Sequence, residues 1–388
     1  MPRCPRSEAR RRVGGGRSRL VRPAVSARAL GVATILVVGW LTTTPPSTAR
    51  ASSDPISPLL VARVPNSSTI FVVGSPTCSR PLCLGLYRTS VTATGFAQVA
   101  LPPVTSSSGS LTGTLEHLVF ANARIGFAVM GSSRATTLYA TFDGARTWHR
   151  RDVTVSGVIE SVAATPSALY LEVANCAVTV PYCQNFRVAR SNLSAVHWTS
   201  TPIPQSRTSA EGSFFGPLAA LGLDVWVTET GSRAYVAQSR DSGRTFKLTA
   251  SPELLSVAGC GLTATSPTTL WAQCPTGMME GFWFSGSDGR SWTYLSLRVA
   301  GTAGSYFDPV SPSLAFLTRG EPSNVLVRIT NSAHTITTVG SLGCPNLLAL
   351  TFVDLDHGLA VCAVSSVTYL ETTATGGATW QRATITPS

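Results

Sequence analysis

From about residue 57 the chain alternates short apolar runs with clusters of Gly, Ser, Thr, Asn, Asp and Pro, and the runs follow a fixed order. One series includes "TLYAT" (137–141), "AYVAQS" (234–239), "GFWFS" (281–285) and "VTYLETT" (367–373). Each is preceded by another run, such as "GFAVMG" (126–131), "ALYLEVA" (168–174), "DVWVTET" (224–230) or "GLAVCAV" (358–364). A further run lies upstream of that, as in "HLVFA" (117–121) and "LALTFV" (348–353), and a short fourth follows, as in "QRATIT" (381–386). Short runs rich in β-branched and aromatic residues, bounded by turn formers, predict strands. No segment sustains a helical period.

Between the third and fourth runs lies a turn that returns. In "TFDGARTW" (141–148), Thr141 is followed by Asp143 and then by Trp148, with Ala145 at the place where other copies carry glycine. "SRDSGRTF" (239–246) has Ser239, Asp241, Gly243 and Phe246 at the same offsets. "SGSDGRSW" (285–292) keeps Ser285, Gly289 and Trp292, with Ser287 at the aspartate place and Asp288 beside it. "TATGGATW" (373–380) keeps Thr373, Gly377 and Trp380, with Thr375 for aspartate. Weaker copies start at Thr89, Ser191 and Thr330, the last without its aromatic. Successive leading residues are 52, 50, 48, 46, 45 and 43 positions apart. Self-similarity at one period marks a repeat architecture, and four strands per period describe a propeller blade. The expectation is an all-β fold, a seven-bladed β-propeller of four-stranded blades over residues 57–388.

The turns resemble the Asp-box, or bacterial neuraminidase repeat, of sialidase-like, sortilin-like and photosystem II assembly-factor-like propellers. The resemblance covers residues from about 57 to 386. It implies a structural hairpin in which the hydroxyl and the aspartate tie the turn, glycine permits a left-handed bend, and the aromatic packs between blades. It implies a scaffold and leaves the activity open. A sialidase would need an arginine motif in the first blade, and "ARVP" (62–65) supplies Arg63 and Pro65. The acid that should follow is missing, because no Asp or Glu occurs between Asp54 and Glu116. The family's sialidases also have six blades. Arg63 therefore reads as a solvated strand-end arginine.

Charge sharpens the domain picture. The net charge of +11 is concentrated in residues 1–51, which hold ten arginines and one acid. The remainder has 20 basic against 18 acidic residues, so it offers no electrostatic case for nucleic acid. Residues 1–51 pass from a basic stretch to the apolar "ALGVATILVVGWL" (29–41) and then to Ala49-Arg50-Ala51, the order of a secretory signal. An N-terminal anchor is the alternative, and residues 52–56 form a short linker. Export, to the medium or the cell surface, is the expected destination.

Eight cysteines outside the leader suit an oxidising compartment. Cys78/Cys83, Cys176/Cys183, Cys260/Cys274 and Cys344/Cys362 are near neighbours, and four local disulfides paired in this order are expected. Cys78, Cys274 and Cys362 each lie eleven residues before a turn's leading residue, in register with the repeat.

No catalytic residue, metal site or cofactor site is assigned. The cysteine spacings fit no zinc pattern, His117, His149, His197, His334 and His357 are scattered, and no nucleophile elbow or phosphate loop occurs. Glu116, Glu160, Glu172, Glu229 and Glu280 are candidates for a glycosidase carboxylate pair, which sequence alone cannot bring together. Trp226, Trp271 and Trp283 fall outside the turns and read as core. The expectation is a monomeric, non-catalytic propeller binding a protein or glycan through its face loops and central channel. A sialidase-like glycoside hydrolase or lyase on the same scaffold is the alternative.

Overall fold

The computed structural model describes residues 56–76, 85–91, 95–103, 114–132, 135–175, 183–205, 214–230, 233–254, 259–276, 279–295, 301–302, 305–319, 324–364 and 367–383. They belong to one compact unit, residues 51–388. Seven antiparallel sheets follow one another, each built from consecutive strands, and no helix occurs among the described residues. The first strands of blades six, seven, one, two, three, four and five lie against each other in that order and line the inner ring. Blade one runs from Ile56–Arg63 through Thr69–Pro76 and Gly85–Ser90 to Ala97–Val99. Blade seven runs from Asn346–Phe352 through Gly358–Val364 and Val367–Thr373 to Gln381–Ala383.

Two blades depart from four plain strands. In blade four the innermost strand is split into Phe214–Phe215 and Ala219–Leu221, both paired with Asp224–Thr230. The break falls at Gly216, where a Cβ would come within 1.9 Å of the Cys260 carbonyl of blade five. Only glycine fits so close an approach. In blade five the strand Met279–Ser285 pairs with both Thr293–Tyr294 and Gly301–Thr302.

The core is divided among the seams between blades. Phe127, Val129 and Leu138 of blade two meet Leu169, Leu171 and Ala189 of blade three. Trp226 and Val236 of blade four meet Leu270, Ala272 and Trp283 of blade five. Trp226 and Trp271 are fully buried and Trp283 is 2% exposed, so the three tryptophans outside the turns among the described residues are core residues. Phe71 of blade one stacks on Phe120 of blade two with centroids 3.7 Å apart, and Phe316 of blade six on Phe352 of blade seven at 3.6 Å.

Among the described residues the ring closes without a shared strand. Ile70, Val72 and Tyr87 of blade one pack on Leu359, Val361 and Leu370 of blade seven. Arg63 is half-buried and engaged rather than freely solvated: its Nη1 donates to the Phe352 carbonyl at 2.5 Å, spanning blades one and seven. The Phe352 N–H in turn donates to Asp308 of blade six at 2.5 Å. Burial raises the Asp308 carboxyl to about 6 even though Arg63 opposes the shift.

Cys260–Cys274 and Cys344–Cys362 are disulfides, and each ties the entry of a blade's first strand to its second. Closing loops this short contributes about 2–3 kcal/mol each in the chain-entropy model. Cys183 is also disulfide-bonded. Cys78, Cys83 and Cys176 lie outside the described residues, as does the whole of the leader, residues 1–51.

Candidate functional site

The blades have two ends, and the repeated turns occupy one of them. Four turns share one backbone frame. The leading hydroxyl accepts the N–H four residues on: Ala145 to Thr141 at 2.9 Å, Gly243 to Ser239 at 2.8 Å, Gly289 to Ser285 at 2.9 Å and Gly377 to Thr373 at 3.0 Å. All four of these donors have positive φ, including Ala145 at 68°. The preceding residue donates its N–H to the blade's own first connection at 2.8 Å, from Gly144, Ser242, Asp288 and Gly376 alike.

Asp143 accepts the N–H groups of Arg146 and Thr147 at 2.9 and 3.0 Å, and Asp241 those of Arg244 and Thr245 at 3.0 and 2.9 Å. Hydrogen bonds from Thr147 and its N–H, and from Ser239 and Thr245, hold these two carboxyls far below the ordinary aspartate range. Where aspartate is missing a hydroxyl replaces it: Ser287 accepts the Ser291 N–H at 3.0 Å and Thr375 the Thr379 N–H at 2.9 Å. The aromatic that ends each turn packs on the preceding blade, Trp148 on blade one, Phe246 on blade three, Trp292 on blade four and Trp380 on blade six. Phe96 packs on blade seven. These residues hold seams together, and none of them faces the channel end.

At the opposite end the innermost strands carry irregularities. Those of blades seven, one, two and three each lose register once, between Leu347 and Ala349, Pro58 and Leu60, Leu115 and His117, and Ile159 and Ser161. All four lie at the same level along the blade. The extra residue of a bulge is left out of the ladder and re-aimed. In blades two and three that residue is Glu116 and Glu160, while in blade seven it is Leu348, 37% exposed.

The two glutamates are neighbours across a seam. Burial raises the Glu160 carboxyl and the charge of Glu116 raises it further. The ring of His117 hydrogen-bonds the Glu160 backbone; burial lowers its pKa, against the upward pull of Glu116 and of that bond. Behind Glu160, Glu172 is 2% exposed and its Oε2 accepts the Ser161 hydroxyl at 2.7 Å. Ser161 Oγ also accepts the Leu218 N–H of blade four at 3.0 Å, so Glu172 belongs to the seam between blades three and four. Desolvation pushes Glu172 up to about 8, against the Ser161 bond and with a smaller push from Glu160. Of the five candidate carboxylates, the fold thus brings Glu116 and Glu160 together with Glu172 behind them. Glu229 is buried in blade four, and Glu280 is bound by Gln273 in blade five.

Among the described residues no group of three or more His, Cys, Asp or Glu is placed to hold a metal ion, and no helix is long and apolar enough to cross a membrane. Sequence reasoning missed Asp308 and the bulges, which leave no local mark on the chain.

No protein-family model and no curated protein matches the chain. Solved structures do. A prolyl endopeptidase structure aligns with TM-score 0.57 at 15% identity, over 84% of this chain and 49% of that one, so the chain spans about half of it. YCF48 bound to D1 peptide aligns at 0.47 and 16% identity, over 70% and 81%. A Trypanosoma rangeli sialidase mutant displaying trans-sialidase activity aligns at 0.44 and 13%, over 72% and 57%. Likeness at this identity speaks for architecture alone. In fold, the chain is a seven-bladed β-propeller.

Proposed function

We propose that this is an extracytoplasmic binding propeller that takes a protein or glycan partner at the channel end of its blades. The observation that carries the reading is the row of bulges on four consecutive blades. It presents a mixed wall, apolar at Leu348 and acidic at Glu116 and Glu160, on a rigid inner ring. Such a wall offers acceptors to amide, hydroxyl or cationic donors next to an apolar contact, the make-up of a recognition site. Arg63, the one residue that suggested a sialidase clamp, is engaged in ring closure instead. The disulfides Cys260–Cys274 and Cys344–Cys362 support an oxidising location. The turn residues Thr141, Asp143, Trp148 and their counterparts serve as Asp-box hairpins in this reading, with no part in the binding.

A hydrolase is the second reading, and the same pair favours it. Two neighbouring carboxyls, one raised by burial and by the other's charge, are the starting arrangement for acid and base roles. The test is to incubate the oxidised protein from Ser52 onward with a mixed glycan panel and follow release and retention, alongside a cell-surface protein pull-down. Retention or capture that weakens in Glu116→Gln and Glu160→Gln supports the binder. Glycan release abolished by Glu160→Gln would replace the binder with the hydrolase.

A further inference from the structure

The turns can be compared seam by seam. Between blades four and five, Asp288 is the third residue after Ser285, left-handed at φ 60°, and its N–H donates to the Thr268 carbonyl. Its carboxylate does not serve its own turn. It crosses the seam, accepts from Gln238 Nε2 at 2.7 Å and Trp226 Nε1 at 3.1 Å, and pairs with Arg240. Gln238 and Trp226 face each other across the ladder of blade four.

The seam between blades one and two has the same frame without the acid. Gly144 is the third residue after Thr141, left-handed at φ 74°, with its N–H on the Arg124 carbonyl. Arg88, facing Phe71 across the ladder of blade one, takes the place of Gln238. A Cβ on Gly144 would lie 3.3 Å from Arg88 Nη1, so the guanidinium reaches the position from which an acidic side chain would start. Here there is a groove of about 610 Å³ whose lining includes Arg88, Gln98, Gly144 and Arg146. The Trp148 indole N–H donates to the Ala100 carbonyl beside it at 2.7 Å. The ion pairs among the described residues are Arg150–Asp152, Arg240–Asp288 and His357–Asp354, so no acid matches Arg88 or Arg146. Asp143, the adjacent carboxylate, is engaged by its own turn.

We propose that this groove binds an aspartate or glutamate side chain of an acidic polypeptide segment, seated as Asp288 is seated in the seam between blades four and five. The molecule's own solution at that seam is an aspartate carboxylate held by side-chain N–H donors. With Arg88 and Arg146 the groove offers stronger, fork-shaped donors, which favour carboxylates. Gly144 leaves the approach open where Asp288 fills it. The site lies at the turn end of the blades, so it is independent of the channel-end reading.

The test is fluorescence anisotropy at low salt with a fluorescein-labelled hexapeptide of alternating glycine and aspartate, and its glycine–asparagine counterpart as control. Wild type binds the acidic peptide and not the control. Arg88→Gln weakens binding by roughly tenfold, the loss of one charge-assisted contact. Gly144→Asp, which supplies the acid from within, abolishes it, and Glu116→Gln leaves it unchanged. No binding by wild type at millimolar peptide, or equal binding by wild type and Arg88→Gln, overturns the proposal. Should Gly144→Asp fail to fold by circular dichroism, Arg88→Gln alone decides. Oligogalacturonate binding without peptide binding overturns the polypeptide assignment in favour of an acidic glycan.

Discussion

The two ends of the blades hold their carboxyl groups in opposite states. At the turn end, Asp143 and Asp241 accept backbone and hydroxyl donors in solvent, and their proton affinity falls. At the channel end, Glu160, Glu172 and Glu280 are partly or wholly desolvated, and theirs rises. The difference lies in what surrounds each carboxyl. The turn carboxylates organise a backbone that would otherwise have unsatisfied donors. At the channel end burial of the carboxyls costs stability, offset in part by the Ser161 hydroxyl on Glu172 and by Gln273 on Glu280.

The largest effect should come from removing the costliest of these groups. Glu172 binds its proton up to about pH 8 in the folded chain, against an ordinary value of 4.5. Its contribution is therefore fully present below about pH 4.5 and is lost as pH rises through 8. Glu172→Gln keeps an acceptor for Ser161 and should stabilise the protein by roughly 3 kcal/mol at pH 7, with the difference vanishing below pH ~4.5. Urea melts across this range measure it, and a pH-independent difference would refute the buried neutral acid.

A smaller change is expected at the other end, with the opposite pH sign. Asp143→Ala leaves two N–H groups without their acceptor and should cost about 1 kcal/mol near neutrality, a partly exposed loss. The wild-type advantage should fade as pH drops below the ordinary aspartate range. Asp143→Ser should cost less than half as much, because Ser287 already makes the same backbone contact. Equal melts for the two variants would show that the carboxylate has no role the hydroxyl lacks.

The smallest effect belongs to Ala145, an alanine held at φ 68° and fully buried. Ala145→Gly relieves the left-handed strain but removes a packed methyl, for a net gain of about 0.5 kcal/mol or less. A loss above ~1 kcal/mol by calorimetry would mean that packing on blade one outweighs the strain.

How far the chain could be read follows from distance along it. The turn frame closes within eight residues, so Thr141, Asp143, Ser239, Asp241 and their counterparts can be recognised by offset, as can Cys260/Cys274 and Cys344/Cys362. Arg63 and Phe352 are 289 positions apart, and Asp288 and Arg240 are 48 apart. No window of sequence contains both partners, and Arg63 looked like any strand-end arginine. Glu116 and Glu160 resembled the other candidate acids because a bulge is a property of pairing between strands and leaves no residue type behind.

Among the described residues no strand is shared between the first and last blades, and this bears on how such a ring arises. Each blade is an unbroken stretch of chain, and its contract with the rest is limited to two seams: the aromatic it lays on the blade before, and the surface it offers to the blade after. A duplicated or deleted segment of one period would keep every ladder intact and need only two faces refitted. The fold is thus open to growth by whole units, and its blades are free to diverge singly, as the acid at Asp288 shows beside the glycines at Gly144 and Gly376.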